Sequence, residues 1–117
     1  MTTYTEPTAL TTTYFNCWRK GDFATLRSIL ADNVDFVGPL AQLDNADDCV
    51  NAMRGLVQIT TDILVRKVFA DGPDVLTWFE LHTKVAPPCP VANWSHVGDG
   101  KIDRIRVTFD PRPLVGG

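Results

Sequence analysis

The sequence predicts an α+β fold in which three N-terminal helices pack on one face of a curved, mostly antiparallel sheet. In the first half of the chain, apolar residues recur at helical spacing in three segments. In the second half they fill strand-length segments separated by turn residues. Helices followed by consecutive strands are typical of α+β domains. The length of 117 residues predicts one domain, residues 1–117, because half of the chain could not bury a core by itself.

Two helices are predicted at the start of the chain. Pro7 and Thr8 begin the first helix, and Gly21 ends it. Asp22 then stands where an N-cap residue would begin a second, short helix. The positions predicted to be buried are Leu10, Tyr14, Cys17 and Trp18 on the first helix and Phe23, Leu26, Ile29 and Leu30 on the second.

A short strand and a third helix follow. Residues 34–37 predict the strand, which Gly38 and Pro39 stop, and either Asp44 or Asn45 caps the helix. The predicted buried positions of this helix are Cys49, Val50, Met53, Leu56 and Val57.

The second half of the chain predicts the main part of the sheet. Turn residues at 71–74 and prolines at 86–90 separate its segments, and a tight Gly-Asp-Gly turn lies at 98–100. The predicted strands are residues 61–70, 76–84, 91–97 and 101–110. Because consecutive strands joined by short turns pair antiparallel, these segments predict a continuous antiparallel sheet.

Composition and charge exclude several classes of protein. The net charge is −3 without a basic run, so nucleic acid is not expected as a partner. The chain starts without a secretory signal pattern, and no apolar run is long enough for a membrane span. Cys17, Cys49 and Cys89 lack the spacing of a disulfide or metal framework, which favours reduced thiols and a cytoplasmic location.

No motif for a cofactor or a metal ion is present in the sequence. Phosphate-binding loops, dinucleotide fingerprints and metal-ligand spacings are missing, so no cofactor is expected. The acidic cluster of Asp44, Asp47 and Asp48 stands at a predicted helix start, where the helix dipole favours negative charge. We interpret it as capping and expect no metal site there.

The order of short motifs along the chain resembles a known family. "GD" stands at residues 21–22, "LADN" at 30–33, a strand-ending proline at Pro39, "DGKI" at 99–102 and "FD" at 109–110. In this order they resemble the SnoaL-like group of the nuclear transport factor 2-like superfamily, which includes ketosteroid isomerase and limonene epoxide hydrolase. The resemblance covers about Thr8 to Pro113. It implies a cone-shaped fold whose sheet and helices enclose one deep, mostly apolar pocket.

The resemblance to ketosteroid isomerase carries over only in part. Its pocket tyrosine matches Tyr14, and the position of its second, protonated aspartate falls near Asn93. An asparagine can still donate a hydrogen bond to a developing oxyanion. The position of the general-base aspartate is Gly38, so isomerisation by that route is not expected.

The catalytic residues of the epoxide hydrolases and of the SnoaL polyketide cyclases carry over less well. Where the epoxide hydrolase family has a catalytic acid, this chain has Val107, although Asp110 matches the aspartate of the family's "FD". The general-acid aspartate of SnoaL polyketide cyclases corresponds to no assigned residue here.

The strand "LTWFELHTK" leaves open which of its two edges faces the pocket. One edge carries Trp78, Glu80 and His82, and the other carries Phe79 and Leu81. If the first edge is the inner one, Glu80 and His82 form a candidate acid/base couple beside Trp78. If it is the outer one, Glu80 pairs on the surface with Arg66 or Arg104.

Together these observations predict a pocket for a small apolar metabolite. The candidate catalytic residues are Tyr14, Glu80, His82 and Asn93, and the candidate ligand-binding residues are Trp18, Phe36, Met53, Leu56, Trp78, Ile105, Val107 and Phe109. Core packing remains an alternative for Tyr14 and Trp18, and so do hydrogen bonds within the sheet for Asn93. Two functions remain open: a cofactor-independent acid/base enzyme of the isomerase, cyclase, dehydratase or hydrolase type, and a ligand-binding or dimerisation module without catalysis.

A homodimer that pairs through the outer face of the sheet is also expected. That face is predicted to carry Phe79, Leu81, Arg104, Arg106 and Thr108. Apolar groups of this size are seldom left bare on a monomer, and the resemblance points to sheet-to-sheet pairing as well.

Overall fold

The computed structural model of the protein describes residues 6–115 and has the predicted α+β architecture. The expectation about a secretory signal therefore lies partly outside the described residues. The helices are α1 (Pro7–Lys20), α2 (Phe23–Ile29) and α3 (Ala46–Ile59), and the strands are β1 (Leu30–Val37), β2 (Gln42–Leu43), β3 (Thr60–Asp71), β4 (Asp74–Thr83), β5 (Cys89–Gly98) and β6 (Lys101–Thr108). Among residues 6–115, no helix combines the length and apolar character that crossing a membrane requires.

The helix ends follow local chemistry. Gly21 ends α1 in the left-handed conformation, with φ of 68°. The backbone N–H of Asp22 donates to the carbonyl oxygen of Cys17 in the last turn of the helix, at 3.0 Å. The Asp22 carboxylate accepts a hydrogen bond of 3.1 Å from the backbone N–H of Thr25 at the start of α2. For α3 the capping residue is Asn45, whose side chain accepts from a backbone N–H at 2.8 Å.

The six strands form one open mixed sheet in the order β2-β1-β6-β5-β4-β3. β3 to β6 pair antiparallel with their neighbours along the chain, as predicted. β1 instead runs parallel to β6 and is reached through α2. β3 is one edge strand of the sheet, and the short β2 is the other.

Two features of the sheet differ from the prediction. Leu30 is buried as expected, but it begins β1 opposite Ile102 and is not part of α2. The two residues of β2, Gln42–Leu43, pair with the end of β1. Residues 30–33 have no alternating pattern, and a strand of two residues has no period to detect, so neither feature has a local signal.

The two edges of β4 have opposite surroundings. Phe79 and Leu81 are buried beneath α1, where the Phe79 ring lies 5.0 Å from the Phe15 ring and 5.7 Å from the Trp18 ring. Trp78, by contrast, is 45% exposed on the outer face. The expectation that Phe79 and Leu81 lie on the outer face is therefore wrong, because the aromatic residues of α1 pack on that edge of the strand.

Candidate functional site

One large cavity lies between the helices and the inner face of the sheet, with a volume of about 350 Å³. Nine of the residues predicted for the pocket line it: Tyr14, Trp18, Phe36, Met53, Leu56, Asn93, Ile105, Val107 and Phe109. Helices α1 and α3 contribute the side chains at one wall, while β1, β5 and β6 contribute those at the other.

Several lining residues were not predicted. Phe79 and Leu81 reach the cavity because the other edge of β4 faces inward. A second group lies in and around the loop between β1 and β2, where Pro39, Leu40 and Leu43 border the cavity. That loop has no periodicity, and the only signal for it is the unusual number of apolar residues directly after a strand-ending Gly-Pro pair.

Trp78, Glu80 and His82 do not line the cavity, which corrects their assignment to the pocket. Successive side chains of a strand alternate between its two faces, so burying Phe79 and Leu81 turns these three residues outward. The His82 Nε2 and the Glu80 Oε1 lie 2.7 Å apart on that outer face, and the guanidinium of Arg66 lies 3.8 Å from the same oxygen. The sequence left open whether Glu80 faces the pocket or pairs with an arginine on the surface. In the structure it lies on the surface, beside Arg66.

Tyr14 supplies a hydroxyl group to an otherwise apolar part of the cavity. The residue is buried on α1, and none of the hydrogen bonds found among residues 6–115 involves its hydroxyl. Burial raises the pKa of the Tyr14 phenol well above its ordinary value, and the neighbouring Cys49 thiol adds to the shift. Tyr14 is therefore a neutral group that can donate a hydrogen bond over the whole physiological range of pH.

Asn93 supplies the second polar group. It lies on the inner face of β5, 2% exposed, and its amide nitrogen is 3.1 Å from the hydroxyl oxygen of Ser95. Within the described part of the chain, the amide oxygen has no partner. An asparagine amide has two donors and an acceptor, so Asn93 retains hydrogen-bonding capacity toward a molecule in the cavity.

The remaining polar atoms around the cavity are already satisfied or unreactive. The indole N–H of Trp18 donates to the Thr60 hydroxyl at 3.0 Å, which leaves only its apolar surface for a ligand. Burial, with a smaller contribution from neighbouring aspartates, raises the pKa of Cys49 to about 11. Since the thiolate is the reactive form of cysteine, Cys49 is not an activated nucleophile near neutral pH.

Gly38 occupies the place where the resemblance puts a general base. Its position lies on the cavity wall: a Cβ atom there would stand 3.3 Å from the Phe36 ring and 3.6 Å from the Cβ of Val107. Among residues 6–115, no aspartate, glutamate, histidine, lysine or arginine lines the cavity. The cavity walls thus hold hydrogen-bond donors and no group that accepts a proton near pH 7.

Asp110 and the acidic cluster of α3 lie outside this site. Hydrogen bonds from the guanidinium group and the backbone N–H of Arg112 hold the Asp110 carboxylate at the surface and lower its pKa to about 2. In the cluster, the amide of Asn45 donates to both Asp44 and Asp48. No group of three potential metal ligands was found among residues 6–115.

Comparison with known protein families shows which family the chain belongs to. The family model described as the SnoaL-like domain matches residues 11–105. The chain belongs to the SnoaL-like domain family. No curated protein matches it significantly in sequence.

Solved structures agree with this assignment of the SnoaL-like chain. A protein from Kribbella flavida is 26% identical, with a TM-score of 0.85 over 92% of this chain and 88% of its own. An NTF2-like protein from Cytophaga hutchinsonii is 23% identical, with a TM-score of 0.82 over 93% and 94%. An LEH-like epoxide hydrolase of M. tuberculosis is 20% identical, with a TM-score of 0.75 over 92% and 84%. Because their sequence identities are low, the last two structures show only that the fold is shared.

Proposed function

We propose that this SnoaL-like chain binds one small, uncharged, largely apolar molecule that carries a carbonyl or hydroxyl oxygen, and that it does not transform it. The observation that carries the proposal is the composition of the cavity wall. Among residues 6–115 it contains no ionisable side chain besides Tyr14 and Cys49, whose pKa values are both raised. A charged ligand would enter this cavity without a counter-ion, which is strongly unfavourable.

The two polar groups of the cavity support a ligand with one oxygen atom at a defined end. The neutral Tyr14 hydroxyl can donate to a carbonyl oxygen, and the Asn93 amide can donate to or accept from the same group. The rest of the wall offers aliphatic and aromatic surface. Such a combination, apolar walls with a few placed polar groups, is typical of small-molecule sites.

The size of the cavity limits the ligand. An apolar cavity of about 150 Å³ holds benzene, so a volume of about 350 Å³ fits roughly 14 non-hydrogen atoms by proportion. This is the size of a bicyclic aromatic ketone or a monoterpenoid and is smaller than a steroid.

The enzymatic alternative lacks a proton acceptor. Tyr14 and Asn93 could stabilise an oxyanion, but Gly38 cannot take the proton whose removal would generate it. Glu80 and His82, the candidate replacements, lie on the opposite face of the sheet. Ligand binding therefore fits these side chains better than acid/base catalysis.

The test measures affinity for two probes of the same shape, methyl naphthyl ketone and isopropenylnaphthalene. The reporter is the fluorescence of Trp18, in a Trp78→Phe/Trp94→Phe background where Trp18 is the only tryptophan. We expect the ketone to bind about 3- to 10-fold more tightly, as one net hydrogen bond allows, and Tyr14→Phe to remove this preference while leaving hydrocarbon affinity unchanged.

Two results would contradict the proposal. Equal binding of both probes to the Trp78→Phe/Trp94→Phe chain with Tyr14 in place would show that the Tyr14 hydroxyl does not select an oxygen. Deuterium exchange at the methyl group of the bound ketone, faster with protein than with buffer and lost in Tyr14→Phe, would show that the site is catalytic.

We further propose that two copies of the chain pair through the outer face of the sheet. Four exposed side chains form an outer apolar stripe there: Phe69, Leu76, Trp78 and Trp94. Leu76 lies directly between Phe69 on β3 and Trp94 on β5 in the strand register. An apolar patch that crosses three strands is typical of an interaction surface, and the sheet-to-sheet pairing implied by the family resemblance favours a second copy as the partner.

A further inference from the structure

A second cavity, separate from the large one, lies between α1 and the β3–β4 hairpin and has a volume of about 240 Å³. Thr8, Thr11, Phe15 and Arg19 recur at helical spacing along the α1 wall, while Thr77 and two valines line the sheet wall. The valines are Val65, 40% exposed, and Val68, 46% exposed. None of these residues lines the large cavity, so we call this place the α1–β3 cleft.

Two of the residues that line this cleft have a buried hydroxyl group without a hydrogen-bond partner. Thr11 is 3% exposed and Thr77 is 1% exposed, and the hydroxyl oxygens of both are unpaired among residues 6–115. The contrast with Thr13 is informative, because its hydroxyl donates to the Ala9 carbonyl of the preceding turn at 3.0 Å. A buried hydroxyl without a partner destabilises the fold. Two of them on facing walls of one cleft indicate that something else supplies the missing partners.

Arg19 gives the cleft a positive charge. Its guanidinium donates to the Asn16 side-chain oxygen and to the Ile63 carbonyl, both at 3.1 Å and both uncharged. No carboxylate lies within salt-bridge distance of it among the described residues. An arginine has five N–H donors, so Arg19 keeps donors that can bind a carboxylate.

We propose that the α1–β3 cleft is a second binding site, for a small carboxylic acid that carries a further carbonyl or hydroxyl oxygen. The carboxylate binds Arg19, the second oxygen takes up the Thr11 and Thr77 hydroxyls, and the carbon chain lies on Phe15, Val65 and Val68. The cleft thus differs in chemistry from the large cavity, which favours an uncharged molecule. By the same proportion as above, its volume fits roughly ten non-hydrogen atoms.

Three probes of equal size test which features of the ligand matter. Levulinate has both the carboxylate and the ketone, isocaproate replaces the ketone by a branched alkyl group, and acetonylacetone replaces the carboxylate by a second ketone. Binding is followed by amide NMR shifts of α1, β3 and β4 in the full chain. We expect levulinate to bind in the millimolar range and each of the other two at least about 5-fold more weakly.

Paired variants test the residues. Thr77→Val and Arg19→Gln are each expected to weaken levulinate binding at least about 5-fold. Thr61→Val, an exposed β3 position outside the cleft, and Lys20→Gln, which removes the neighbouring positive charge, are the matched controls and are expected to stay within about 2-fold. Thr11→Val repeats the test from the helix side should Thr77→Val not fold.

Thermal unfolding supplies a readout that does not depend on any ligand. Because the Thr77 hydroxyl is unpaired, Thr77→Val is expected to raise the melting temperature of the ligand-free protein by a few degrees. A fall in melting temperature would show that the hydroxyl has a partner within the protein and its bound water, which overturns the proposal. Levulinate shifts that are absent, or that survive both Thr77→Val and Arg19→Gln, overturn it as well.

Discussion

The inner and outer faces of β4 carry similar residues but have different surroundings. Each face has one large aromatic side chain, Phe79 inside and Trp78 outside, flanked by aliphatic or polar residues. Phe79 is 2% exposed because Phe15 and Trp18 of α1 pack on it, whereas Trp78 is 45% exposed. The face of a strand is thus decided by which edge a distant helix packs on, and composition alone does not decide it.

The largest expected effect comes from removing the inner aromatic residue. Phe79→Ala deletes a ring that contacts two aromatic neighbours in the core, and we expect it to lower the free energy of unfolding by about 3–5 kcal/mol. Trp78→Ala is the matched change on the outer face. At a concentration low enough to keep the chain monomeric, we expect it to lower that free energy by less than about 1 kcal/mol. Urea denaturation measures both.

A similar loss for the two variants would mean that α1 does not distinguish the two edges of β4 as described. The register would then be wrong, and Trp78 would have to be buried by some other part of the chain.

The next effect concerns assembly and depends on the outer face. Leu76→Lys places a charge in the middle of the outer apolar stripe, and we expect the dimer dissociation constant to rise by about 30-fold or more. Val85→Lys introduces the same charge at another exposed apolar residue, outside the stripe, and is expected to leave assembly unchanged. Analytical ultracentrifugation distinguishes the dimer from the 13.0 kDa chain.

Sedimentation of the unsubstituted chain as a monomer at micromolar concentration would remove the basis for a dimer. In that case the outer apolar stripe would need another explanation.

The third effect is a loss of stability at alkaline pH that originates in the wall of the large cavity, on the inner side of the sheet. Burial raises the pKa of the Cys49 thiol from 9.0 to about 11 and shifts the pKa of Tyr14 in the same direction. Between pH 9.0 and about pH 11, the Cys49 thiol has released its proton in the unfolded chain but still holds it in the folded chain. The free energy of unfolding therefore falls as pH rises. We expect Cys49→Ala to lose less stability than the unsubstituted chain between about pH 8 and about pH 10.5.

Urea denaturation at the two pH values measures this difference. Met53→Leu, a change in the same cavity wall without a titrating group, is the control and should lose as much as the unsubstituted chain. An identical alkaline loss in Cys49→Ala would show that the thiol is not desolvated in the folded state.

Features of the fold that depend on neighbouring residues could be predicted from the sequence. Gly21, Asp22 and Asn45 mark helix ends because the groups they satisfy lie within four residues of them. The turns between β3 and β6 are likewise set by local residues. The family resemblance added what no local signal provides, the cavity between helices and sheet and the place of Tyr14 in its wall.

Features that depend on distant contacts could not be predicted. The alternation of β4 is equally regular on both edges, so only the packing of Phe15 and Trp18 on Phe79 decides which edge is inner. The unpaired hydroxyls of Thr11 and Thr77 also have no sequence signal, because threonines are common on helices and strands and their missing partners appear only in three dimensions.

The smallest expected effect comes from the polar pair on the outer face. Glu80 and His82 lie 2.7 Å apart with about a third of each side chain exposed, and such pairs contribute at most about 1 kcal/mol. Glu80→Gln keeps the shape of the side chain and removes its charge, and His82→Ala removes its partner. We expect both variants to bind methyl naphthyl ketone within about 2-fold of the unsubstituted affinity, since neither residue lines the large cavity. Tyr14→Phe, measured alongside, is expected to lose its preference for the ketone. A tenfold loss of affinity (about 1.4 kcal/mol) in Glu80→Gln with folding intact would place the site on the outer face and reverse the comparison between the two sides of β4.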